Sequence, residues 1–142
     1  MRGLLDVNVL IALLDADHSM HALAIEWFRH NARRGWASCP LTQNGCVRVM
    51  SHPGYPQALP ICAVTERLAE ATSHALHEFW QDSVSLLDES VFVRERLHGP
   101  RQITDAYLLA LAVGHGGRFV TFDASIVREA VVGAETRHLV VL

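Results

Sequence analysis

The 142 residues are half hydrophobic and 19% charged, with a formal net charge of −3. That balance excludes an intrinsically disordered chain and supplies no overall basic field for non-specific nucleic-acid binding. No apolar run approaches the roughly 18 residues of a membrane span, and Asp6 interrupts the first apolar stretch too early for a signal peptide. The length suits one domain over residues 1–142. Cys39, Cys46 and Cys62 are odd in number and lack C-x-x-C spacing. They read as free thiols of a reducing compartment, so a soluble, cytoplasmic protein is expected.

In chain order, residues 3–6 read as a buried strand and 7–14 as a short helix packed against it. An amphipathic helix follows from about Met20 to Arg33, with Met20, Leu23, Ala24, Trp27 and Phe28 on one face, and Gly35 ends it. Residues 36–39 form a second strand, and Pro40 opens a helix that runs to Ser51. Three prolines and a glycine make 51–60 a loop. Helical composition covers 61–72 and 74–80, then a strand is expected at 84–87 and a short helix around 91–97. Ile103 to His115 is an apolar helix stopped by Gly116-Gly117. Strand 118–122, a short helix over about 124–131 and a last strand 138–142 complete the chain. Strands alternating with helices predict an α/β fold whose parallel sheet is covered on both faces.

Asp6 sits between two apolar runs, where a carboxylate is costly without a partner. It falls at the C-terminal end of its strand, the edge at which open α/β sheets bind ligands. Asp123 stands at the end of another β-rich run, and Asp105 in the first turn of the apolar helix. Each has an ordinary structural role open to it, Asp105 as a first-turn acid and Asp123 as a helix N-cap. Jointly they suggest more: three carboxylates meeting at one sheet edge repel each other unless a hard cation lies between them, and Mg²⁺ or Mn²⁺ prefers such oxygen sites.

Residues 5–11 (LDVNVLI), Thr104-Asp105-Ala106-Tyr107-Leu108 with Leu111-Ala112, and Thr121-Phe122-Asp123 resemble the three signature segments of PIN-domain ribonucleases, in particular the VapC toxins of bacterial toxin–antitoxin pairs. Residues 35–45 and 47–53 are similar to one VapC subgroup, so the likeness spans nearly the whole chain. The resemblance implies a three-layer α/β/α PIN domain with a central, mostly parallel sheet. It also implies a Mg²⁺-dependent (or Mn²⁺-dependent) endoribonuclease, in which Asp6, Asp105 and Asp123 hold the metal and Asn8 accompanies the first aspartate. Thr121 is either a hydrogen-bonding member of the site or a supporting strand residue. RNA as substrate, a small VapB-like antitoxin that covers or fills the acidic pocket, and a homodimer of toxin chains are the partners implied. One position departs from the family pattern. The glutamate of its Thr-Glu-Asn-Gly segment is Gln43 here, which leaves open one metal or two, and a catalytically weak domain acting mainly as an RNA- or antitoxin-binding module is the alternative.

The nine histidines include the i, i+3 pairs His18/His21 and His74/His77, neither joined by further ligands at zinc-site spacing. They read as a helix entry and a polar helix face. Arg94, Arg96 and Arg101 precede Asp105 and are either solvated charge or contacts for RNA phosphates. Trp27, Trp36 and Trp80 read as core or interface residues.

Overall fold

Each apolar strand places alternate side chains on opposite faces of the sheet, and the helices between them cover both faces. The computed structural model describes residues 1–142. Its five strands are β1 (Gly3–Leu5), β2 (Trp36–Ser38), β3 (His77–Phe79), β4 (Arg118–Thr121) and β5 (Leu139–Val141). They form a single sheet in the order β3-β2-β1-β4-β5, and every pairing is parallel. The one antiparallel element is an isolated bridge between Phe92 and Val131, outside the strands. The helices are α1 (Val7–Leu14), α2 (His21–Asn31), α3 (Pro40–Met50), α4 (Ile61–Thr72) and α5 (Gln102–Gly114).

The alternation divides the core in two. Leu5, Trp36 and Val120 join Val9 and Ile11 of α1, Cys46 and Met50 of α3 and Val64 of α4 on one face. Leu4, Ala37 and Phe119 meet α5 on the other. Helix α5 is buried over Ala106 and all of Leu108–Ala112, as a helix apolar all round must be. Phe92, Val84 and Leu86, from the irregular segment before it, pack against the same cluster. The three-layer α/β/α arrangement implied by the resemblance is therefore present, with an all-parallel sheet. No helix is long and apolar enough to cross a membrane.

Four local expectations fail. Residues 77–79 are strand β3, not the end of a helix, because β2 captures this segment. Trp36 N–H donates to the Leu76 carbonyl at 3.0 Å, and Trp80 N–H to that of Ser38 at 2.9 Å. Arg2 fastens the same edge, bonding the Leu76 carbonyl at 2.7 Å and pairing with Glu78 at 2.8 Å. Residues 84–87 are irregular: Val84 and Leu86 reach the core without a strand partner, while Leu87 is exposed. The helix expected around 91–97 is the Phe92 bridge followed by a 3-10 turn at Arg94–Arg96. The helix expected over 124–131 is a turn followed by a 3-10 turn at Arg128–Ala130.

Candidate active site

Asp6 directly follows β1 and caps α1, its Oδ1 accepting from Val7 N–H at 2.7 Å. Since β1 and β4 are neighbours, Asp123, two residues beyond β4, stands at the same edge. Helix α5 leads back into β4, so its first turn, with Asp105, returns to that edge as well. Gly45 lets α3 come close to α1: a Cβ there would lie 2.6 Å from Val7 Cγ2.

The three carboxylates differ in their surroundings. Asp6 is buried, and its Oδ2 accepts a 2.7 Å bond from the Thr121 hydroxyl. Burial nevertheless raises its pKa, Thr121 and the Val7 N–H lower it, and Asp123 adds to the rise. Asp105 is half-buried, and its pKa is pushed up to about 6 by burial, then by the charges of Asp6 and Asp123. No hydrogen bond or cation of the protein offsets that rise. Asp123 is exposed, and its Oδ1 accepts from the Ser125 hydroxyl (2.6 Å) and N–H (2.7 Å), which hold its pKa down. Thr121 is both strand residue and connector, because its Oγ1 also accepts the Asp123 N–H at 3.1 Å.

The fold thus brings Asp6, Asp105 and Asp123 within mutual electrostatic reach and leaves Asp105 unneutralised. An all-oxygen donor set with surplus negative charge suits a hard divalent cation. As the side chains are oriented, no three His, Cys, Asp or Glu groups close around a single point, and Asp123 is bonded back to Ser125. Asn8 is exposed on the first turn of α1, beside Asp6. Gln43 starts at the same sheet edge but on its β2 side, where its Nε2 donates to Ser38 Oγ at 2.9 Å. Ser38 Oγ in turn lies 2.8 Å from His77 Nε2.

The sequence reading missed Ser38 and His77. His77 is a strand residue packed against Trp36 with the rings tilted at 58° and centroids 4.4 Å apart, not part of a polar helix face. The aromatic run Phe79-Trp80 beside it was the available strand signal. Of the three arginines ahead of α5, Arg94 pairs with Glu89 at 2.7 Å, Arg96 reaches the Glu129 carbonyl at 3.4 Å, and Arg101 is exposed.

A fold of this topology with carboxylates gathered after β1, after β4 and at the start of α5 defines a PIN domain, and the PIN-domain family model matches residues 3–131. The chain is 57% identical over 142 residues to Ribonuclease VapC44 of Mycobacterium tuberculosis, covering all of both chains. It is 44% identical over 135 residues to Ribonuclease VapC39 of the same organism, covering 94% of this chain and 96% of that one. Among solved structures it is similar to a chain of VapBC2 from Rickettsia felis, crystallised bound to a DNA fragment from their promoter. The TM-score is 0.55 at 12% identity, covering 88% of this chain and 90% of that one, a likeness of fold. The chain belongs to the PIN-domain VapC ribonuclease family.

Proposed function

We propose that this chain is the toxin of a VapBC-like pair, an endoribonuclease that hydrolyses RNA phosphodiester bonds with Mg²⁺ or Mn²⁺ held by Asp6, Asp105 and Asp123. The observation that carries the reading is the placement of three carboxylates at one sheet edge, Asp6 after β1, Asp123 after β4 and Asp105 in the first turn of α5, with no cation of the protein between them. A divalent cation bound there would supply an acidified water and offset the negative charge developing on the phosphate oxygens. The residues of the chain do the rest. Thr121 fixes the rotamer of Asp6, and burial keeps that carboxylate from turning out to water. Asp123, exposed and held only by Ser125, is the carboxylate free to swing towards an ion. Asn8 presents its amide at the rim, where it can orient a phosphate oxygen or a water.

Replacing Asp6 by Asn and assaying cleavage of a broad RNA panel in Mg²⁺ tests the reading. Wild type should cut RNA and Asp6→Asn should not. If both leave every RNA intact, the nuclease reading fails and a binding module takes its place.

For the antitoxin, the supporting feature is an apolar groove of about 330 Å³. Leu10, Leu13 and Leu14 of α1, Ile25 and Phe28 of α2 and Leu76 before β3 line it. An amphipathic segment of a small antitoxin fits that lining as a helix in a groove, with the rest of its chain extending to the acidic edge. Ile25→Glu should weaken antitoxin binding at least about tenfold while leaving RNA cleavage intact, as expected for a charge placed in an apolar anchor site. Retained affinity would move the antitoxin elsewhere. A homodimer of toxin chains is part of the same proposal, tested by the mass of the isolated protein in solution.

A further inference from the structure

The β2 side of the ligand-binding edge carries a second polar cluster, and it differs in kind from the carboxylates. Gln43 Nε2 donates to Ser38 Oγ at 2.9 Å, and Ser38 Oγ lies 2.8 Å from His77 Nε2. The Ser38 side chain is fully buried. His77 is packed on Trp36, with Arg2 and Glu78 the charges that face it, and burial lowers its pKa towards the neutral imidazole. Gln43 also lines a cleft of about 290 Å³ between α3 and α4, together with Asn44, Val47, Thr65, Leu68 and Thr72. None of the three carboxylates lines that cleft.

We infer that, without RNA bound, the acidic pocket takes a single divalent cation and that Gln43 is not among its ligands, serving instead as a positioning residue that ties α3 to β2 and β3. The inference rests on the carboxylate reading above. Charge supports it first. Three carboxylates neutralise one dication and leave a negative surplus. Two dications would leave a positive surplus at the pocket, and the neutral amide of Gln43 adds no charge to cancel it. Hydrogen bonding supports it independently. The bond to a fully buried hydroxyl holds the Gln43 side chain on the β2 side, and leaving it would cost a buried hydrogen bond. In the chain as folded the amide nitrogen is committed to Ser38, and the side chain lines a cleft that none of the carboxylates lines.

Titration calorimetry of the RNA-free full chain with MnCl₂ at pH 7.5 tests this. The expected stoichiometry is one Mn²⁺ per chain. Gln43→Met, which keeps the volume and removes the oxygen, should retain the Mn²⁺ dissociation constant within about twofold, while its thermal midpoint falls because Ser38 loses a partner. Asp105→Asn should weaken Mn²⁺ at least about tenfold, the loss of one anionic donor. Two Mn²⁺ per wild-type chain overturn the inference, as does a loss of affinity in Gln43→Met as large as that in Asp105→Asn. The wild-type stoichiometry needs no variant to fold. Wild type that takes up no Mn²⁺ overturns the metal reading itself, and the inference with it, so the two failures are told apart.

Discussion

The two halves of the sheet's C-terminal edge solve the same problem in opposite ways. On the β2–β3 side, Gln43, Ser38 and His77 form a hydrogen-bonded chain, so the polar groups there are closed by the fold. On the β1–β4 side, Asp6, Asp105 and Asp123 have mainly each other, and charge of one sign collects with only Thr121, Ser125 and backbone N–H groups against it. The first arrangement stabilises the molecule without a ligand. The second costs stability, because like charges crowd one edge with no cation of the protein beside them, and on the proposal above it is the working half. Polar residues alone do not distinguish a site from a brace. What distinguishes them is whether the partners lie inside the fold.

The comparison breaks most visibly at Asp105. Asp105→Asn should lower RNA cleavage by about 10²–10³-fold, the usual scale for losing one electrostatic element of a catalytic site, measured as single-turnover cleavage in Mg²⁺. Thr121→Val is the next largest. It removes the hydrogen bond that holds down the pKa of Asp6. Cleavage at pH 7 should fall about tenfold, and the acidic limb of the pH–rate profile should move to higher pH. A profile that keeps its position would show that Thr121 acts only as a strand residue.

The braced half should respond in stability instead. Ser38→Ala leaves both Gln43 and His77 short of a partner and should cost about 2 kcal/mol in denaturant unfolding, with cleavage retained. The smallest effect has the reverse sign. Because the folded-state pKa of Asp105 lies near 6, above its ordinary value of 3.8, the native protein holds that proton more tightly than the unfolded chain. Stability is therefore full below about pH 4, falls as pH rises to about 6 and stays reduced above it. Asp105→Asn should recover about 1 kcal/mol at pH 7, a figure discounted for a half-exposed group, and nothing at pH 3.5. One substitution then removes activity and adds stability.

Much of this was legible in the sequence. Asp6 and Asp123 follow apolar runs directly, so their place at strand ends needed only the period-2 pattern. Asp105 followed from the helix start, and the alternation of strands with helices already implied two covered faces. The remainder was not legible because it depends on long-range capture. Three residues, 77–79, are too few to show a strand period, and β2 and Arg2 decide their state from 41 and 74 residues away. Residues 84–87 look like a strand by composition but find no partner, and 124–131 shrink to a 3-10 turn because Asp123 turns the chain through Ser125. The pairing of Gln43 with Ser38 and His77 depended on that same misread strand. The departure at position 43 was visible in the sequence, but its hydrogen-bond partners were not.

The claim that the carboxylate half awaits a cation is tested most directly by thermal unfolding at pH 7 with and without saturating Mn²⁺. A ligand at about 100 times its dissociation constant adds about 2.7 kcal/mol to the native state, a rise of roughly 5–10 °C for a domain of this size. Wild type should show that rise, and Asp105→Asn, starting from a higher midpoint, should show little of it. No rise in wild type, or an equal rise in both proteins, would contradict it.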